Sequence, residues 1–118
     1  VNRGFHIGVD KALEMLRGEH DFSAFRSSRC TARRTVLKME TARHVDESPI
    51  HHIDLQCRSF LHNMVRLLVG LLLEIGQGRH APEVMRQCLD ARKKVVRFRT
   101  APPHGLVLQE VFYPEDLQ

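Results

Sequence analysis

The first quarter of the chain carries hydrophobic spacing typical of a short helix followed by a turn. Residues 10–17 predict an amphipathic helix that Gly18 ends. Residues 20–26 predict a compact turn, in which the three-residue spacing of Phe22 and Phe25 lets both rings point inward. The segment that follows, up to residue 33, has the composition of a loop.

Two alternating segments predict an antiparallel hairpin. The first covers residues 35–45, the second covers residues 50–58, and the polar stretch 46–49 forms the turn between them. In the second strand, Ile53, Leu55 and Cys57 share one face. In the first strand, simple alternation places Val36, Lys38, Glu40 and Ala42 on one face and Leu37, Met39 and Thr41 on the other.

The remaining elements are two helices and a last strand. Residues 60–75 are apolar nearly all round and predict a central, buried helix that the glycines at 76 and 78 close. Residues 82–91 predict a second helix, and residues 106–113 alternate as a strand. The inward side chains of the second helix are Val84, Met85, Cys88 and Leu89. The fold class expected is α+β, an antiparallel sheet with helices packed on one face.

The length and composition are those of one globular domain. The chain has 118 residues, of which 42% are hydrophobic and 27% are charged, and this excludes wholesale disorder. It begins with Val1 rather than Met, so we expect a segment of a longer protein.

The distribution of charge indicates contact with phosphates. The net charge is +4, and two segments without acidic residues carry most of the local excess of positive charge. The alternative is that these segments are solvated loops that only aid solubility. With no Trp and one Tyr, a base-stacking platform is not expected. The candidate RNA contacts are Arg26, Arg29, Arg33, Arg34, Lys93, Lys94, Arg97 and Arg99.

Cysteine and histidine spacing predicts neither disulfides nor a metal site. Cys30, Cys57 and Cys88 are far apart, odd in number and form no C-x-x-C, which is typical of a reduced, intracellular protein. His51 and His52 are adjacent, so on a strand they point to opposite faces. No other pair has zinc-ligand spacing near a second pair. We therefore expect no metal and no cofactor.

Arg66 stands out in the middle of the apolar helix. Helical spacing places His62, Asn63, Gly70 and Gln77 on its side, and Gly70 leaves room for a close approach. No acidic residue of this helix lies three or four positions away. One interpretation is an Arg whose head reaches solvent, and the other is a buried Arg that awaits a carboxylate or phosphate.

Four motifs follow one another along the chain: H-D-F-S-A-F at 20–25, F-L-x-x-M-V-R-x-x-V-G at 60–70, G-x-G-R at 76–79 and A-P-x-x-G-L-x-L-x-x-V-x-Y at 101–113. Together they resemble the C-terminal domain of the tRNA pseudouridine synthase A family. The resemblance implies that residues 1–118 form that domain, with a partial pseudouridine synthase fold.

The resemblance also implies an activity. Such enzymes isomerise uridine to pseudouridine in tRNA, here expected in the anticodon stem-loop, with an aspartate in an Arg-Thr-Asp-x-Gly motif of the N-terminal domain. None of the six aspartates here follows Arg-Thr, so the chain alone is expected to be inactive. Arg66 maps onto the family Arg that pairs with this aspartate, and Leu106 maps onto the Leu that packs against the base. Asp21 of the first motif is expected to fix its loop by accepting backbone N–H groups near Ser23 and Ala24.

The partners implied are tRNA, the N-terminal domain of the same protein and a second copy in a homodimer, with no membrane. The alternative function is a non-catalytic RNA-binding or dimerisation module.

Overall fold

The computed structural model describes residues 3–27, 34–47 and 50–102. It confirms the α+β class: a three-stranded antiparallel sheet in the order β1-β2-β3, with three helices packed against it. The predicted strand at 106–113, most of the loop at 27–33 and the centre of the hairpin turn lie outside the described residues. The elements are α1 Arg3–Leu16, β1 Gly18–Asp21, a 3-10 turn Ser23–Phe25, β2 Val36–Glu47, β3 Ile50–Cys57, α2 Met64–Gly76 and α3 Glu83–Ala91.

Helix α1 lies at the centre of the packing, between the sheet on one side and the two other helices on the other. It begins two turns earlier than the predicted helix at 10–17. Glycines at 4 and 8 weaken the helical signal of this part of the sequence, but packing supplies most of a helix's stability in a folded protein. Gly8 lies against Ile75 of α2, where a small residue lets the two helices come close. None of the helices in the described ranges has the length and apolar character of a membrane span.

Strand β1 is an element that the sequence pattern did not predict. Gly18, with a φ of +94°, ends α1, and the next residues pair antiparallel with β2, from Gly18 opposite Met39 to Asp21 opposite Val36. Four residues are too few to show a clear alternation. The predicted turn at 20–26 is thus wrong for His20 and Asp21, which belong to this strand. The 3-10 turn at Ser23–Phe25 follows, and the Phe22 and Phe25 side chains are fully buried, as predicted.

The hairpin of β2 and β3 is confirmed, but one face assignment is wrong. Alternation placed Met39 and Ala42 on opposite faces, whereas both are buried. The register shifts between Met39 and Thr41, so that Glu40 lies in a β-bulge. A bulge adds one residue to one strand and so reverses the faces beyond it.

Helix α2 begins four residues later than predicted, because Asn63 has a left-handed φ of 61° that a helix interior does not accept. Its end at Gly76, followed by Gly78 with a φ of +83°, agrees with the prediction. Helix α3 is confirmed, and all four side chains predicted to point inward are buried: Val84, Met85, Cys88 and Leu89.

Candidate functional site

A stripe along α2 faces the chain segment that leads out of α3. Arg66, Gly70 and Glu74 follow one another at intervals of four residues, so they lie on one side of the helix. We refer to these three residues as the α2 stripe. Residues 99–101 run along it, with Arg99 beside Glu74 and Ala101 beside Arg66.

Arg66 is joined to Ala101 by two hydrogen bonds. The Arg66 Nε–H donates to the Ala101 carbonyl oxygen at 2.9 Å, and the Ala101 N–H donates to the Arg66 carbonyl oxygen at 3.0 Å. The side chain is partly exposed. Within residues 3–27, 34–47 and 50–102 it forms no salt bridge with an acidic side chain. Arg66 therefore anchors the start of the A-P-x-x-G motif. Its partial exposure lies between the solvent-reaching Arg and the buried Arg that the sequence allowed.

The room that Gly70 leaves is filled by this same segment. A Cβ atom at position 70 would lie 1.9 Å from the Arg99 carbonyl oxygen and 3.0 Å from the Ala101 nitrogen. The first distance is too short for any side chain unless the backbone moves, and the second is tighter than an ordinary contact. The close approach expected at Gly70 is thus made by the chain itself.

Glu74 closes the other end of the stripe, and the sequence reasoning missed its role. Its side chain is 8% exposed. The carboxylate accepts the backbone N–H of Arg99 at 2.7 Å and lies 3.1 Å from Nε2 of His80. The hydrogen bond from Arg99 is the main reason that the pKa of Glu74 is lowered from its ordinary value. The spacing of eight residues from Arg66, two full turns, is the signal that places it on the same side.

A basic groove of about 670 Å³ opens beside Glu74. The Lys94 ammonium lies 5.4 Å from the centre of the Phe98 ring, which itself contacts Phe25 at a centroid distance of 6.2 Å. The contact of Phe25 with Phe98 places the residue that precedes Arg26 against the second predicted basic segment. The groove is lined by Glu74, Arg79, Lys94, Val95, Val96, Arg97, Phe98 and Arg99.

The predicted RNA contacts divide into described and undescribed residues. The exposed ones are Arg26, Arg34, Lys93, Lys94, Arg97 and Arg99, of which three line the groove. Arg79 also lines it and was not among the candidates, because it belongs to neither basic segment. Arg29, Arg33 and Leu106 lie outside the described residues.

Asp21 fixes its own turn, as predicted. Its carboxylate accepts the Ser23 N–H at 3.0 Å and the Ser23 hydroxyl, and Arg92 lies 3.6 Å away. The Ser23 hydroxyl is the main cause of the lowered pKa of Asp21. His20 bonds through Nε2 to the Arg17 carbonyl oxygen at 2.7 Å, which holds its ring in place.

Three histidines lie close together near the turn end of the β2–β3 hairpin, although histidine spacing in the sequence had predicted no metal site. His6, His44 and His51 come from α1, β2 and β3, and one nitrogen of each lies within 4.8 Å of the other two. The bulge, the strand register and the packing of α1 against β2 bring these positions together.

Comparison with known proteins gives one consistent result. A family described as tRNA pseudouridine synthase matches residues 12–114. A tRNA pseudouridine synthase A from Geobacter sp. (strain M21) is 43% identical over 99 residues, which cover 83% of this chain and 40% of the relative. One from Colwellia psychrerythraea is 34% identical over 118 residues, which cover 96% of this chain and 46% of the relative. The chain thus spans less than half the length of these curated relatives.

Proposed function

The chain belongs to the tRNA pseudouridine synthase family, and we propose that it is the C-terminal domain of an enzyme that isomerises uridine to pseudouridine in tRNA. The observation that carries the proposal is the pair of hydrogen bonds between Arg66 and Ala101. These residues belong to two separate motifs to which the resemblance assigns an active-site Arg and an active-site Leu. A site assembled from both motifs requires that they be held together.

In this proposal Arg66 stabilises the catalytic aspartate of the N-terminal domain. The Arg66 Nε–H is bonded to the Ala101 carbonyl, which fixes the plane of the guanidinium. Its terminal nitrogens then present a fork that suits a carboxylate. An adjacent cation keeps an aspartate ionised in a pocket from which the flipped uridine excludes water.

Leu106, five residues beyond Ala101, is proposed to pack against the uracil ring while the base is detached, turned and rejoined through carbon. The chain itself contains no Arg-Thr-Asp sequence. The N-terminal domain of the same protein must supply the aspartate, and the 118-residue chain alone should form no pseudouridine.

The basic groove is proposed to hold the tRNA backbone. Three of its lining residues, Lys94, Arg97 and Arg99, come from one segment without acidic residues, and Arg99 is bonded to the α2 stripe through its backbone. Phosphate contacts orient a nucleic acid without reading its sequence. This arrangement supports delivery of the target uridine toward Arg66.

The test of the catalytic role uses the full-length protein with Arg66→Met. We expect the single-turnover rate, followed by tritium release from 5-labelled uridine in tRNA, to fall by orders of magnitude, while tRNA affinity stays nearly unchanged. Arg66→Lys should also lose most of the rate, because an ammonium lacks the planar fork. Arg86→Met is the matched control, since Arg86 is exposed on α3. An Arg66→Met enzyme with normal rate and weakened affinity would make Arg66 a phosphate contact instead.

The test of RNA contact uses the 118-residue chain. Its tRNA affinity should fall with salt at a log–log slope of roughly −3 to −4, as expected for about four phosphates. The double change Arg97→Gln and Arg99→Gln should make the slope shallower by about 2. Arg86→Gln should leave it unchanged. A salt-independent affinity would show that the basic segments take no part in RNA binding.

A further inference from the structure

The histidine cluster, which we define as His6, His44 and His51, contains none of the residues used in the proposed reaction. The ring centres of His6 and His44 are 4.7 Å apart, those of His6 and His51 are 4.9 Å apart, and those of His44 and His51 are 5.3 Å apart. Three imidazoles from three elements thus surround one point.

The register of the hairpin explains why two of them are neighbours. His44 pairs with Ile53, and His51 pairs with Asp46, so the two histidines are diagonal neighbours on one face. This is the face of the buried Ala42, two residues before His44, and α1 packs against it. His6 of α1 completes the group from above.

The cluster does not satisfy all of its own nitrogens. His44 Nε2 and His51 Nδ1 are 3.2 Å apart and can share one hydrogen bond, in which one ring nitrogen donates and the other accepts. The His6 Nε2 atom is fully buried and has no hydrogen-bond partner in the described part of the chain. Buried polar nitrogens are nearly always satisfied in native proteins, so an unsatisfied one indicates a missing ligand.

We propose that the histidine cluster binds one Zn²⁺ ion through one imidazole nitrogen of each residue. Neutral imidazole is a preferred zinc ligand, and Zn–N bonds of about 2.0–2.1 Å in a tetrahedral site place neighbouring nitrogens about 3.3 Å apart. The nitrogens of His44 and His51 are already at 3.2 Å. His6 reaches the same geometry by a side-chain movement of about 1 to 2 Å, and water takes the fourth position.

One carboxylate lies where a supporting group of a zinc site is found. Asp10 Oδ1 lies 3.8 Å from Nδ1 of His44, the ring nitrogen that does not bind the metal, whereas Asp46 Oδ1 lies 3.6 Å from Nδ1 of His51, the ligating nitrogen itself. The carboxylate of Asp10 can accept the N–H of the His44 nitrogen that does not bind the metal, which orients the ring. The His51 side chain is 27% exposed and leaves a path for entry. The ion would link the turn end of the β2–β3 hairpin to α1.

The experiment titrates ZnCl₂ into the chelator-treated 118-residue chain by calorimetry. We expect one ion per chain, and a loss of affinity of at least tenfold in His44→Gln and in His51→Gln, because each removes a ligand. His52→Gln is the matched control, since His52 is exposed and points away from the cluster. Zn²⁺ should raise the Tm of the unchanged chain and of His52→Gln, but not of the two cluster variants.

Binding of paramagnetic Co²⁺ in place of Zn²⁺ tests the site in the unchanged chain, so that misfolding of a variant cannot affect the result. The imidazole NMR signals of His6, His44 and His51 should shift or broaden most, and those of His20, at the other end of β2, and His62, before the start of α2, should not change. Absence of Zn²⁺ binding at micromolar concentration would overturn the proposal. So would affinity unchanged in both cluster variants, equal loss in His52→Gln, or Co²⁺ broadening confined to histidines outside the cluster.

Discussion

The α2 stripe and the histidine cluster both place polar side chains among apolar residues, but their partners differ. In the stripe, Arg66 donates to a carbonyl oxygen and Glu74 accepts a backbone N–H. Each charged group meets a group of opposite polarity in the chain itself. In the cluster, imidazole faces imidazole, and the buried His6 Nε2 has no hydrogen-bond partner in the described ranges.

The charged groups of the α2 stripe therefore stabilise the fold by themselves, whereas the proposed role of the histidine cluster requires a bound ion. The stripe uses its two charged residues to hold residues 99–101 against α2, which sets the position of the basic groove. Hydrogen bonds to charged groups contribute about 1.5–3 kcal/mol each. In the cluster, the buried His6 Nε2 makes no comparable hydrogen bond within the described residues unless a ligand binds.

The largest loss of stability is expected from a substitution at Gly70. Gly70→Ala should lower the free energy of unfolding by about 3 kcal/mol, because the new Cβ overlaps the Arg99 carbonyl and the segment must move. Urea denaturation measures the loss. Gly8→Ala is the matched helix control: its Cβ would lie 3.4 Å from the nearest atom, so it should be neutral or stabilise by up to about 1 kcal/mol. Equal losses in both variants would contradict the close packing at Gly70.

A smaller, pH-dependent effect is expected at Glu74. Its pKa in the folded protein is lowered from 4.5, chiefly by the Arg99 N–H, so its contribution is present above pH 4.5 and is lost as the pH falls through the folded pKa. At pH 7, Glu74→Gln should be less stable by about 1–2 kcal/mol, and this gap should close in acid. Urea unfolding of both proteins from pH 7 to pH 3 measures it. A gap that stays constant with pH would show that the charge of Glu74 contributes nothing.

The smallest effect is expected on the outer side of the hairpin. Arg43 and Asp54 form an ion pair at 3.2 Å, with the Arg43 side chain 60% exposed. Arg43→Ala should change stability by no more than about 0.5 kcal/mol, because solvent screens exposed pairs. Thermal unfolding at low and high salt measures this effect. A loss as large as that of Glu74→Gln would show that burial is not what distinguishes the two carboxylates.

The sequence by itself determined the fold class, the hairpin, α3 and the inward pair Phe22 and Phe25. These rest on periodicity, which reports which face of an element is buried whenever the element is regular. It also singled out Arg66 and the loop-fixing role of Asp21, because both arguments need only near neighbours along the chain.

Only the tertiary structure revealed the bulge at Glu40, the full length of α1, the α2 stripe and the histidine cluster. A bulge leaves no mark in composition, yet it turns His44 toward α1. Glu74 and Arg99 are 25 positions apart, and His6 lies 38 positions before His44. Spacing in the sequence describes neighbours within one element, whereas such contacts depend on how separate elements pack, and packing is set by the burial of the whole core.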